Sequence, residues 1–271
     1  FGAHTNFGSP ALFGGYEYTP VEMNKRAEES LADKQNEALK VMPVLFDQND
    51  YQVTVCDPPY AGYQWIPDFS IYDDYPEIGH YILSGKFQDD SIKDRWIQDD
   101  KRNFFCYGIL KTAPLCLQKT IYDYGRYNQE EDPRETVFLQ QTTNNMYTSF
   151  GLREAFMECY NELSAYPELT DAVDDDRDTF LMMVNGLTHD PMMLQEPGYI
   201  PAITVDNTEY ESGHQDRYTV NGQTLPMTTG IHAIYYQTNM AAMLQLGNWF
   251  DYMRENDVYD NTRIILVADH G

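Results

Sequence analysis

Ile264-Ile265-Leu266-Val267-Ala268-Asp269-His270-Gly271 closes the sequence: an unbroken apolar run, then an acid, an imidazole and a glycine. A short continuous apolar run reads as a strand buried on both faces, and the polar triplet as the loop at its end. Just upstream, Met240, Met243, Leu244, Gly247, Phe250 and Met253 follow the helical period, predicting an amphipathic helix over 233–255 that stops near Asn256-Asp257. A helix feeding an apolar strand predicts an α/β fold with a mostly parallel central sheet sandwiched between helices.

The rest of the chain repeats that alternation. Residues 26–47 read as a helix with Leu31, Ala38, Leu39, Met42 and Leu45 roughly on one face, followed by a strand Gln52-Val53-Thr54-Val55-Cys56. A second helix is expected over 149–164, capped by Ser149 and carrying Leu152, Phe156, Cys159 and Leu163. Thr179-Phe180-Leu181-Met182-Met183-Val184 reads as another buried strand, leading into Asn185-Gly186-Leu187-Thr188-His189-Asp190. In parallel sheets functional residues sit just past the carboxyl ends of strands, so the two polar clusters after Val184 and Ala268 are the first pointers to a site.

Residues 1–271 are expected to form part of a single domain. No repeat or low-complexity tract breaks the chain, and no run of about 18 apolar residues occurs. The sequence opens on Phe1 and ends on Gly271, and both ends read as cut from something longer. The net charge of -25, from 43 acidic and 18 basic residues, argues against a nucleic-acid partner. A single phosphate remains bindable where a cation reverses the local field. Cys56, Cys106, Cys116 and Cys159 form no C-x-x-C pair; Cys106 and Cys116 are close enough to bridge, but buried thiols are the expectation.

Asp269 and His270 together offer a carboxylate and an imidazole, a donor pair suited to Zn²⁺, Mn²⁺ or a similar cation. The triplet alone also reads as an ordinary turn. Its context is more specific. Tyr236-Gln237-Thr238-Asn239, Trp249-Phe250, then Asp257-Val258-Tyr259-Asp260-Asn261-Thr262-Arg263 and the closing run together resemble the alkaline phosphatase/sulfatase superfamily over about the last 36 residues. The resemblance implies that Asp269 and His270 are metal ligands, the metal being Mn, Zn or Mg.

The same resemblance aligns His4-Thr5-Asn6-Phe7-Gly8-Ser9-Pro10-Ala11-Leu12-Phe13-Gly14-Gly15 with the segment that bears the superfamily's nucleophile. No C/S-x-P-x-R sulfatase motif is present. Thr5 falls at the nucleophile position, as in phosphoglycerol and phosphoethanolamine transferases of the lipoteichoic acid synthase type. Read without the resemblance, Thr5 is also a helix cap, and Ser9 is a rival for either role. His189, in a strand-then-His-x-Pro-like segment, is implied to contact the transferred group, and is otherwise a loop histidine. Trp65 matches a substrate-proximal tryptophan, although Pro67 stands where those enzymes carry arginine; the alternative for Trp65 is core packing. Arg217 or Arg153 are candidates to replace that charge.

The resemblance therefore implies a metal-dependent phosphotransferase. It would move a phospho-alcohol group from a phospholipid-derived donor through Thr5 onto a cell-envelope glycan or other acceptor, as the extracytoplasmic part of a membrane-anchored bacterial protein. The alternatives are a sulfuric- or phosphoric-ester hydrolase on the same scaffold, and an inactive glycan-binding fragment. The superfamily also draws an acidic ligand from a strand before the nucleophile, which these 271 residues do not include, so weak activity is expected of the chain by itself.

Overall fold

A computed structural model describes residues 4–87, 90–122, 124, 148–150, 153–174, 176–202 and 204–270. Gly271, the last residue of the closing motif, lies outside them. In chain order the main elements are α1 (Thr5–Gly14), α2 (Leu31–Asp47), β1 (Gln52–Cys56), β2 (Gly79–Tyr81), α3 (Asp90–Thr112) and α4 (Leu115–Tyr122). Then come β3 (Thr148–Phe150), α5 (Glu154–Ser164), β4 (Thr179–Met183), β5 (Thr204–Asp206), α6 (Thr208–Gly213), β6 (Thr219–Val220), β7 (Gln223–Thr224) and α7 (Gly230–Glu255). The result is a mixed α/β chain with a small parallel sheet flanked by helices. No helix among the described residues is long and apolar enough to cross a membrane.

Two compact units emerge. The first comprises Phe1–Gly85, Pro167–Asn185 and Phe250–Gly271, and contains the parallel sheet in the order β2-β1-β4. β1 pairs in parallel with both neighbours, Val55 opposite His80 on one side and Met182 on the other. Val53 and Val55 point into a buried cluster with Tyr72, Ile78 and Met182, as period-2 alternation requires. Phe46 of α2 stacks on Phe180 at 4.0 Å, and the Tyr72 hydroxyl donates to the Leu39 carbonyl at 3.1 Å. Burial pushes the Tyr72 hydroxyl's pKa well above its ordinary value.

The expected helix over 26–47 begins only at Leu31, because the Ser30 side chain accepts the Asp33 N–H at 3.1 Å and caps it there. Its buried residues are Lys34, Gln35, Ala38, Leu39 and Pro43, whereas Leu31 and Leu45 are exposed. α1 packs against α2 and ends where Gly15 takes a φ of 83°, a left-handed value that glycine adopts without penalty.

Two expected strands differ. β4 lies at the edge of the sheet among the described strands, and Met182 is its one buried residue. Ile264–Ala268 takes no regular secondary structure and pairs with no strand among the described residues, and its side chains are exposed, Ile265 by 72%. An apolar run is buried in a sheet only when a neighbouring backbone takes its hydrogen bonds; here none of the described strands does.

The second unit comprises Lys86–Tyr166 and Gly186–Trp249. The helix expected from Ser149 starts instead at Glu154, and Thr148–Phe150 forms β3, antiparallel to β5. α7 contributes to both units. Within the second it buries Ile234, Gln237, Thr238, Ala241 and Ala242, while Met243 and Leu244 face outward, so the buried stripe is offset from the expected methionine face.

Candidate functional site

α1 begins after His4, which occupies the N-cap position in extended conformation and makes no side-chain cap bond. Thr5 is therefore the first helical residue rather than the cap. Its hydroxyl oxygen lies 3.4 Å from His270 Nε2. Ser9, the other candidate on this helix, is buried, and its hydroxyl has no hydrogen-bond partner among the described residues. An enclosed hydroxyl is poorly placed to meet a substrate.

Asp269 and His270 are delivered by a short scaffold at the end of α7. The turn Tyr259–Asn261 packs its tyrosine ring against Phe250 at 5.9 Å, with the Arg254 guanidinium 4.0 Å from the ring centre. Thr262 donates its hydroxyl to the Val258 carbonyl at 2.7 Å and is itself extended. The chain then runs out to Asp269, whose Oδ1 lies 3.9 Å from His270 Nε2, with the two side chains 30% and 28% exposed. Thr5, Asp269 and His270 thus meet within the first unit.

Donor spacing tests whether a cation fits. Ligands about 2.1 Å from a tetrahedral ion stand roughly 3.4 Å apart, and the separations here are 3.4 Å and 3.9 Å. One hydroxyl, one carboxylate and one imidazole suit a borderline divalent ion. Among the described residues no group of three His, Cys, Asp or Glu side chains is arranged to hold a metal ion.

Trp65 lies in the first unit and is 84% exposed, which removes the core-packing alternative. Its ring meets Tyr60 edge-on at 6.2 Å, and Tyr60 lies 6.4 Å from Tyr63. Tyr60 and Tyr63 both hold a φ of 57°, a conformation uncommon for bulky residues. The loop is tied to α2: Gln35 donates to the Pro59 carbonyl, and Asn36 accepts the Gly62 N–H, each at 2.9 Å.

His189 belongs to the second unit. Its Nδ1 lies 3.2 Å from Asp190 Oδ2, and its side chain is largely exposed. Arg153 reaches the same carboxylate at 3.5 Å and donates to the Pro191 carbonyl at 2.7 Å. The next segment of chain is held by buried α7 side chains: Thr238 accepts the Met192 N–H at 3.2 Å and Gln237 the Leu194 N–H at 3.0 Å. Gln237 and Thr238 belong to the stretch that carries the resemblance, so those two residues serve the loop after His189.

Arg217 is unavailable as an anion clamp. Its side chain is buried, paired with Glu211 and, through Nε, 3.4 Å from Glu196 Oε2. It also lies 4.2 Å from the Tyr218 ring centre. Beside it a cavity of about 370 Å³ is lined by Gln195, Glu196, Asp206, Glu209, Tyr210 and His214. His214 stacks on Tyr210 at 4.0 Å and holds its carbonyl through Nδ1 at 2.8 Å. Nothing in the sequence distinguishes Arg153 from other surface arginines; its placement at Asp190 is visible only in the fold.

The chain matches no family model, no curated protein and no solved structure.

Proposed function

We propose that the chain carries the catalytic half-site of a metal-dependent phosphotransferase on an alkaline-phosphatase-like scaffold, with Thr5 as nucleophile and Thr5, Asp269 and His270 as metal donors. The observation that carries the reading is the meeting of Thr5 Oγ1 and His270 Nε2 at 3.4 Å across almost the whole chain. Thr5 also sits at the N-terminus of a ten-residue helix, the end that favours negative charge.

Attack by Thr5 Oγ1 on a phosphodiester forms a new P–O bond and breaks the bond to the donor's alcohol, which leaves with the proton the hydroxyl gives up. An acceptor hydroxyl then attacks the phosphothreonine ester, and its proton returns to Thr5. Water in place of the acceptor gives hydrolysis. Asp269 and His270 would hold a divalent cation that lowers the hydroxyl's pKa and offsets charge on the phosphoryl oxygens. In a chain of net charge -25 such a cation is also what makes an anionic substrate tolerable. In the second unit the exposed His189 ring and Arg153 offer N–H donors of the kind that suit an anionic group.

Incubation of the chain with Mn²⁺ or Zn²⁺ and a glycerophosphodiester, followed by peptide mass spectrometry, tests this. The expected product is an ester adduct on Thr5, absent in Thr5→Ala. Equal turnover by Thr5→Ala would remove Thr5 from the chemistry.

A second reading, glycan binding without turnover, draws on the exposed Trp65 ring beside Tyr60 and Tyr63. Sugar-dependent quenching of tryptophan fluorescence that disappears in Trp65→Ala, together with no Thr5 adduct, would favour it.

A further inference from the structure

Thr5, Gly8 and Ser9 stand at i, i+3 and i+4 of α1 and so share one helix face. The segment bearing Asp269 and His270 lies against that face at Gly8. A Cβ built on Gly8 would overlap the Asp269 carbonyl oxygen, come within 2.9 Å of its carbonyl carbon and within 3.4 Å of its Cβ. Gly8 is buried. It is not among the glycines with positive φ, so its backbone conformation is open to any residue. Glycine inside a helix is disfavoured relative to alanine because it loses more backbone freedom on folding. The sequence accepts that cost at Gly8 with no conformational need for it.

We infer that Gly8 is a positioning residue: the absence of its side chain lets the Asp269-His270 segment seat on α1 close enough for His270 to reach Thr5. The contact that would be lost involves backbone atoms of Asp269, which cannot rotate away as a flexible side chain can. Carbon atoms pack at about 3.5–4.0 Å, so a methyl group at position 8 pushes the segment outward by roughly 1 Å. A 3.4 Å contact between Thr5 and His270 does not survive such a shift, and a misplacement of about 1 Å is enough to cost on the order of a hundredfold in a positioned reaction. The positioning role stands on the packing; its consequence for catalysis rests on the phosphoryl-transfer reading above.

Gly247 supplies the control. It too is helical, but a Cβ there meets nothing within 4 Å, so Gly247→Ala makes the same chemical change without displacing anything. Histidine-selective ¹⁵N labelling of the full chain, with His270 assigned by its loss in His270→Gln, reports the contact directly. In the wild type and in Gly247→Ala, Thr5→Val should move the His270 Nε2 resonance. In Gly8→Ala the same replacement should leave it unmoved, and Zn²⁺ affinity measured by calorimetry should fall about tenfold or more. A Thr5-dependent shift that persists in Gly8→Ala overturns the inference, as does a wild-type resonance indifferent to Thr5→Val. A Gly8→Ala chain that loses cooperative unfolding overturns it in favour of a purely structural role. The resonance needs no turnover, so a wild type that forms no Thr5 adduct while keeping the coupling refutes the phosphotransfer reading alone.

Discussion

Thr5 and His270, 265 positions apart in sequence, hold a hydroxyl oxygen and an imidazole nitrogen 3.4 Å from each other. Asp269 Oδ1 lies 3.9 Å from the same nitrogen, so a hydroxyl and a carboxylate both approach one imidazole. Each direct donor contributes strongly to holding a borderline cation. Asp269→Ala and His270→Ala are each expected to weaken Zn²⁺ binding by at least about tenfold, and the double variant to abolish a calorimetric isotherm. Thr5→Ser, which keeps the oxygen, should bind as the wild type does. Unchanged metal content in the double variant would remove the metal from the reading.

Arg217 and Glu196 form a buried pair at 3.4 Å, and Glu211 pairs with the same guanidinium through Nη2. Removing the arginine leaves the Glu196 carboxylate buried without its counter-charge, a change that typically costs about 3–5 kcal/mol. Arg217→Ala should therefore lower the urea midpoint sharply. Arg26→Ala, whose pairs with Glu29 and Glu37 are partly exposed to solvent, should move it far less.

No disulfide joins the cysteines, and only Cys56 among them is fully buried, so the expectation of four buried thiols holds for one. Cys116 is exposed. Burial, and after it the Glu162 carboxylate, pushes the Cys159 thiol up to about 12. Because the thiolate is the reacting species, Cys159 should alkylate at least about a hundredfold more slowly than Cys116 at pH 8. Peptide mapping after brief exposure to iodoacetamide checks the order.

Asp206 accepts the Thr208 hydroxyl at 2.6 Å and the Thr208 N–H at 3.0 Å. Those bonds favour the carboxylate and hold its pKa below the ordinary value. A depressed folded-state pKa contributes stability above the unfolded value and loses it as pH falls through the folded one. Thr208→Val removes the hydroxyl and keeps the N–H, so the Asp206 pKa should rise only part of the way to normal. A ¹³C carboxyl titration showing no rise would exclude the hydroxyl as the cause.

Local pattern recovers five of the elements, α2, β1, α5, β4 and α7. The alternation of Gln52–Cys56 and the helical period before Asn256 both correspond to observed elements, since side-chain periodicity survives whatever the tertiary context. The start of the helix after Ser149 is misread because Thr148–Phe150 is claimed by β5, a partner remote in sequence that no local signal announces. The offset stripe on α7 has a similar cause: Gln237 and Thr238 are buried to hold the Met192–Leu194 backbone, a demand a hydrophobic period cannot register. At the candidate site, the carboxylate and imidazole of Asp269-His270 are legible from their residue types, but only the resemblance directs attention to Thr5. Gly8 is visible as a glycine three residues on, with nothing to mark it until the opposing backbone is in place.

The exposed run Ile264–Val267 has a consequence for how the molecule behaves in solution. An exposed apolar run with no strand partner among the described residues is a template for pairing between chains, whereas a net charge of -25 keeps the chains apart. Only the second of these forces is screened by electrolyte, over a length of about 10 Å at 0.1 M. Raising ionic strength should therefore drive self-association, and dilute low-salt buffer should keep the protein dispersed. Light scattering against sodium chloride concentration would show it, with Ile265→Lys flattening the curve.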